Sequence, residues 1–251
     1  ASHAIGGLYS NQPVGCCAHS DITVFSFHPV KIITTAEGGM ALTNSADLAR
    51  HMARLRSHGI TRDPAEMTGP PDGPWYYQQI ELGMNYRMTD MQAALGLSQL
   101  ARLEEYVARR NVLAERYDRL LADLPLDLPG RQAGTRSAFH LYVIRLQNPA
   151  RHRMVFEALR AAGIGVNLHY IPVHLQPHYA RMGFAAGDFP AAEHYYQRAI
   201  SLPLFATMTE AEQDRGERKM CTSERDYSYY LRNELLRAHT AEHGTVHSAM
   251  G

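Results

Sequence analysis

Apolar and β-branched residues gather at positions 22–27 (ITVFSF) and again at 39–43 (GMALT). The first run reads as a buried strand and the second as its partner, with the paired glycines Gly38 and Gly39 supplying a tight turn between them. Ser45 then precedes a segment, 46–57, in which Leu48, Met52 and Leu55 share one helical face, and Gly59 follows as a stop signal. Periodicity is lost over 61–85, where Pro, Gly, Asp and aromatic residues dominate, so a long loop is expected there. Loops of that length in compact domains are usually functional. From Thr89 a helical spacing resumes through Leu103, Tyr106, Val107, Leu113, Tyr117, Leu120 and Leu124 as far as Pro125, which predicts a long helical region of the kind that bridges two domains. A strand at AFHLYVIRL, a helix over 150–162 ended by Gly163 and a strand at GVNLHYI follow, a β-α-β pattern that starts a second α/β domain near Leu126. Thr209 and Glu212 form a T-x-x-E capping box, yet the next residues, RGERKMCTSERD, lack an apolar face. Residues 215–251 are therefore expected to be an aberrant or disordered tail, as a shifted reading frame would produce.

Composition narrows the function. The chain has 251 residues, 45% of them hydrophobic, and 25 basic residues balance 25 acidic ones. A formal charge of zero gives no electrostatic reason to expect nucleic acid or an anionic membrane as partner. No apolar run approaches the roughly 18 to 20 residues of a membrane span, and the N-terminus lacks a signal-peptide pattern. Three cysteines, with Cys16 and Cys17 adjacent, suit a reducing compartment. A cytoplasmic location is expected. The opening ASHAIGG reads as the middle of a domain, so the chain is expected to be a fragment.

Lys31 is the candidate for chemistry. It closes a β-branched run and is followed by Ile32 and Ile33, a setting in which partial desolvation lowers an amine's pKa and makes it nucleophilic. The pattern alone favours a strand-end lysine reaching to water. A metal-dependent hydrolase is a second reading, from His169, His174 and His178 in HYIPVHLQPHY. Against it, Pro172 and Pro177 break any helix that would give zinc-ligand spacing.

The segments SFHPVK, TTAEGGMALTN, LRSHGI, LGMNYRMTDMQAALGLSQL, HLYVI, NLHYIPVHLQP and AISLPLF resemble the DegT/DnrJ/EryC1/StrS sugar aminotransferase family from Ser2 to about Asp214. The resemblance implies an α/β fold, the C-terminal part of a fold-type I transferase that uses pyridoxal 5'-phosphate. Residues 1–125 would form a partial large domain with its bridging helix, and 126–214 the small C-terminal domain. It implies that Lys31 bonds the cofactor and moves the proton at the reacting carbon, and that the Ser26 hydroxyl binds the cofactor phosphate. His3 would lie beside the cofactor ring, and Asn85 would reach the phosphate from the second subunit of a homodimer. His140, His169, Tyr170 and His174 match positions near the sugar-nucleotide cleft. Arg87 could contribute charge there or pair a carboxylate. In ASHAIGG, SFHPVKIITT, GITRDP and DGPWYYQQIELGMNYRMTD the wording is most similar to members acting in pseudaminic acid biosynthesis, which move an amino group from L-glutamate to C4 of a UDP-linked 4-keto-6-deoxy-N-acetylhexosamine.

One departure matters. The family sets an aspartate on the pyridine nitrogen just ahead of the position where this sequence begins. A chain without that carboxylate is expected to be weak or inactive by itself, and to leave a sheet edge and an apolar face exposed. A non-catalytic relative that only dimerises is the competing reading.

Overall fold

In the computed structural model, which describes residues 1–215 and Met220, the chain divides into two compact units. The first comprises residues 1–111 and 131–140, and the second residues 112–130 and the chain from Leu141 onward.

The first unit opens with a hairpin of β1 (Leu8–Tyr9) and β2 (Gln12–Pro13), turned by Ser10 and Asn11, both at positive φ. The strand pair expected around Lys31 is present: β3 (Thr23–Ser26) runs antiparallel to β4 (Gly39–Leu42), with Ser26 opposite Gly39. Alternation sets its faces. Thr23, Phe25 and Phe27 are buried, whereas Val24 is exposed and Ser26 half-buried. Phe25, Phe27, Ile32, Ile33, Val107 and Ala138 form the core of this unit. Helix α1 (Ala46–Leu55) is capped as expected, the Ser45 hydroxyl accepting from the Leu48 N–H at 3.3 Å. Strands β5 (Ile60–Thr61) and β6 (Gln78–Gln79) pair and close the base of the long loop. Helix α2 (Asp90–Leu100) opens on a capping box made by Thr89 and Gln92, and α3 (Leu103–Leu120) follows. The continuous helical region is thus two helices. Neither glycine nor proline marks the break at Ala101 and Arg102, so the hydrophobic pattern runs through it unchanged.

In the second unit β7 (Leu126–Asp127), β8 (Tyr142–Leu146) and β9 (Ala199–Leu202) form an antiparallel sheet in that order. Helix α4 (His152–Ala161) enters through a 3-10 turn over Pro149–Arg151 and lies against β9, and two short helices, α5 (Pro177–Ala180) and α6 (Pro190–Tyr196), complete the unit. Leu113, Tyr117 and Leu121, Tyr142, Ile144 and Leu146 of β8, and Val155 and Leu159 of α4 are almost fully buried. The Tyr117 and Tyr142 rings lie 4.9 Å apart, and the Tyr117 hydroxyl donates to the Pro203 carbonyl at 3.0 Å. Burial pushes that phenol's pKa up, so it stays a neutral donor. Leu113→Ala is expected to cost about 2–5 kcal/mol, the range for emptying a closed core site, read as a lowered urea midpoint.

Two expectations are corrected. The segment GVNLHYI is not a strand: it makes a single bridge, Asn167 to Ser201, by two backbone bonds of 2.8 and 3.1 Å. The Asn167 side chain then accepts from the next N–H, of Leu168, and the chain leaves the sheet edge. The third strand is instead AISL of β9. The division between units falls within α3 and not at Pro125, because the buried residues from Leu113 onward serve the second unit, and residues 131–140 belong to the first. The tail expected at 215–251 lies, apart from Arg215 and Met220, outside the described residues. Apolar side chains are exposed in the first unit, with Leu82 at 90% and Met91 at 83%. Among the described residues no helix is long and apolar enough to cross a membrane.

Candidate active site

Residues 27–38 leave the β3–β4 ladder and return to it, and their two ends are pinned by one residue. The Phe27 N–H donates to the Gly38 carbonyl at 2.8 Å, while its carbonyl accepts the Thr35 N–H at 3.0 Å and the Thr34 hydroxyl at 2.9 Å. The Thr34 N–H reaches the Gln99 side chain of α2 at 3.0 Å. A Cβ at Gly38 would meet the Thr35 hydroxyl at 2.3 Å, so a larger residue there would displace that hydroxyl from its bond to the Glu37 carbonyl. Within this frame the Lys31 N–H closes a tight turn on the His28 carbonyl at 2.9 Å, and Ile32 and Ile33 anchor the next two positions in the core. Lys31 is half-buried, and burial holds its amine below the ordinary lysine pKa. Ser26 ends β3 on the face opposite Phe25 and Phe27. Its hydroxyl accepts weakly from the His28 N–H at 3.5 Å, and a hydroxyl that accepts one bond keeps its own proton to donate.

His3 and His140, 137 positions apart, come together with ring centroids at 4.3 Å and planes tilted by 52°. The sequence division at Pro125 would have assigned His140 to the second domain. Asn85 and Arg87 are exposed on a segment zipped to the end of α1, where Met84 N–H donates to Leu55 O, His58 N–H to Met84 O and Tyr86 N–H to Arg56 O at 2.7–2.9 Å.

The remaining candidates lie in the second unit. His169 shares a 2.7 Å bond between Nδ1 and the buried Ser201 hydroxyl, and Tyr170 is 59% exposed. His174 is buried with Nε2 2.8 Å from Glu193, whose carboxylate also accepts from the Gly187 N–H. The His174 bond, followed by that backbone donor, lowers the Glu193 pKa. His174 therefore fastens its loop through Glu193. The three histidines of HYIPVHLQPHY do not converge, and among the described residues no group of three His, Cys, Asp or Glu is placed to hold a metal ion.

An apolar cavity of about 330 Å³ is lined by Phe25, Phe27, Ile33, Met40, Met88 and Leu97 among others. Its polar lining side chain, Thr35, already donates to the Glu37 carbonyl at 2.8 Å, so the cavity offers nothing to a phosphate. The WYYQQ segment is held through Gln78, which bonds the Thr68 backbone at 2.7 and 2.8 Å and donates to the Tyr76 hydroxyl at 3.1 Å, and the surrounding loop by Arg54, which bridges Glu66 and Glu81; Trp75 and Tyr77 are exposed.

Sequence reasoning passed over Arg54 and Arg110. The signal for Arg110 was a charge on the apolar stripe of α3, three residues from both Val107 and Leu113; it is 7% exposed.

The fold is that of fold-type I pyridoxal-phosphate-dependent transferases. The putative sugar aminotransferase Spr1654 of Streptococcus pneumoniae, in its PMP form, superposes with a TM-score of 0.81 at 31% identity over 90% of this chain and 58% of that one. Helicobacter pylori PseC, an aminotransferase involved in the biosynthesis of pseudoaminic acid, gives 0.81 at 30% identity over 90% and 58%. The uncharacterized protein MJ1066 of Methanocaldococcus jannaschii is 40% identical over 215 residues, 84% of this chain and 55% of its own. The sequence model of the DegT/DnrJ/EryC1/StrS aminotransferase family matches residues 1–218, and the chain belongs to that family. It spans about half the length of the curated relatives it matches.

Proposed function

We propose that the chain contributes the lysine side of a pyridoxal-phosphate-dependent sugar aminotransferase site, acting between L-glutamate and a UDP-linked 4-keto-6-deoxy-N-acetylhexosamine aminated at C4. The observation that carries this reading is Lys31 itself: an amine held below its ordinary pKa, on a turn fixed at both ends, five residues after a serine with a donor to spare. The donor set suits the cofactor, because an aldehyde needs a neutral amine and a phosphate dianion needs hydroxyl or amide donors. The PMP form of Spr1654 supports the choice of cofactor, and the pathway of PseC supports the sugar.

Pyridoxal phosphate, when bound, supplies an electron sink for the charge left at the carbon that loses a proton. The protein's part is positioning and proton movement. Lys31 Nζ takes the proton from Cα of L-glutamate and returns one at C4 of the sugar, which requires one amine within reach of both. Ser26 donates to the phosphate, and Asn85 donates to it from the second protomer of a homodimer. His3 flanks the ring. By the family resemblance His169 and Tyr170 would contact the nucleotide sugar, and Arg87 would add charge for it or pair a carboxylate. A cytoplasmic enzyme fits a nucleotide-sugar substrate.

The chain has two lysines, Lys31 and Lys219, which makes the test sharp. Borohydride reduction in the presence of pyridoxal phosphate is expected to leave a pyridoxyl group on the Lys31 peptide, and prior addition of L-glutamate to discharge it. No label on Lys31, in this chain and in one extended to the length of its relatives, overturns the reading.

A further inference from the structure

Residues 131–140 are held by two clamps. On one side the Leu8 and Arg136 backbones exchange bonds of 2.9 and 3.0 Å, the Asn11 N–H donates to Gly134 O at 3.0 Å, and the Arg136 guanidinium donates to Gly6 O at 3.0 Å. On the other, two successive residues of α3 reach across. Asn111 Nδ2 donates to Ser137 O at 2.9 Å, and the buried Arg110 donates through Nη1 to Phe139 O at 3.0 Å and to His140 O at 3.4 Å. Between these carbonyls Phe139 adopts φ +44°, a conformation that a bulky residue holds only where its surroundings impose it. The Phe139 N–H is also spent, on the Ser137 hydroxyl at 3.0 Å, and the Arg131 guanidinium lies 4.8 Å from the Phe139 ring centre. At the end of this clamped segment the His140 ring meets the His3 ring, centroids 4.3 Å apart.

We propose that Arg110 is a positioning residue of the cofactor site: its grip on the Phe139 and His140 carbonyls holds the His140 ring against His3, and so fixes the imidazole assigned to the cofactor's side. This rests on the cofactor reading above for what His3 faces, but not for the geometry of the pair. Arginine suits the task. Its guanidinium stays charged when buried, and one terminal nitrogen, Nη1, spans both carbonyls, whereas a lysine is a single strongly hydrated charge. Charge-assisted bonds of this kind are the strong ones. Burial lowers the Arg110 pKa without threatening its charge. His140, expected at the sugar-nucleotide cleft, is thereby reassigned from ligand contact to backing ring for His3.

The first readout needs no cofactor. In the proton NMR spectrum of the purified chain, the His3 ring protons, assigned with His3→Ala, carry a ring-current shift from His140 that is lost in His140→Ala. Arg110→Met, shown to be folded by its thermal melt, is expected to move the His3 signals toward their positions in His140→Ala; Arg110→Lys, which keeps the charge, is expected to fall between. The second readout is pyridoxal phosphate affinity, expected to weaken by about 10- to 100-fold in Arg110→Met, as for a misplacement of about 1 Å. Arg110→Met and His140→Ala are expected to be non-additive, as members of one unit are. If Arg110→Met does not fold, Arg110→Lys and Asn111→Ala carry the same comparison. Unchanged His3 signals in the folded variants, or fully additive losses of affinity, overturn the proposal. Failure of wild-type Lys31 to take the pyridoxyl label, with the ring-current pattern intact, overturns the cofactor reading and the cofactor part of this proposal, while the pattern itself upholds the Arg110 geometry.

Discussion

Lys31→Ala is expected to abolish amino transfer, lowering the rate by at least about 10⁴-fold. Positioned proton transfer contributes roughly 10²–10⁴-fold by itself, and the same substitution removes the covalent tether to the cofactor. No neighbour can stand in: the only other lysine is Lys219, far along the sequence. Lys31→Arg is expected to fail equally, because a guanidinium stays protonated and neither bonds the aldehyde nor takes a proton. Added methylamine should restore a small part of the Lys31→Ala rate, since the deleted side chain leaves room for a free amine. The pH dependence has a definite sign. Burial disfavours the ammonium form of Lys31, so the neutral amine is more populated at any pH below the ordinary lysine pKa than in a free lysine. Reductive labelling of Lys31 should accordingly reach half its maximum at a lower pH than that of a lysine model peptide. Retention of more than about 1% of the rate in Lys31→Ala, the most that a lost general acid–base group leaves, would remove Lys31 from the chemistry.

What the sequence made legible around this site was local. The β3–β4 pairing, the Ser45 cap and the Thr209–Glu212 capping box depend on near neighbours and stand in the structure, whereas the tight glycine turn does not: residues 27–38 form a longer loop and Gly39 is the first residue of β4. What was not legible depends on distant partners. The α2–α3 break has no breaker residue to announce it. GVNLHYI carries a strand's composition, yet β9 offers it only the Ser201 bridge. Most telling is His140: its neighbour in sequence is a strand of the second unit, whereas its neighbours in space are His3 and the Arg110 side of α3. Periodicity reports which face of an element is covered, not by what. The exception is a charge on a covered face, as at Arg110, because a buried guanidinium requires acceptors that the surrounding chain must supply.

Gly83→Ala is expected to destabilise the first unit by about 3–5 kcal/mol, the range for a core defect that cannot relax cheaply. The backbone at Gly83 crosses the turn at the end of α1 so closely that a Cβ would lie 2.2 Å from the Gly59 nitrogen, 2.6 Å from the His58 carbonyl carbon and 2.7 Å from the Leu55 oxygen. All three obstacles are main chain, so no rotamer change relieves them. The segment would have to lift, losing the Met84–Leu55, His58–Met84 and Tyr86–Arg56 bonds, each worth about 1 kcal/mol net. Gly69→Ala is the control that separates crowding from backbone strain. Gly69 sits at φ +82° with nothing within 4 Å of a built Cβ, so it should cost only about 1 kcal/mol, the strain term alone. Hydrogen exchange gives the local readout: the Met84 and Tyr86 amides should lose protection in Gly83→Ala and keep it in Gly69→Ala. Because Asn85 and Arg87 ride on the lifted segment, Gly83→Ala should also weaken cofactor retention while Lys31 still takes the pyridoxyl label. Equal protection at Met84 and Tyr86 in Gly83→Ala and the parent chain would show that this backbone crossing does not hold the segment, and would detach the proposed phosphate contact of Asn85 from α1.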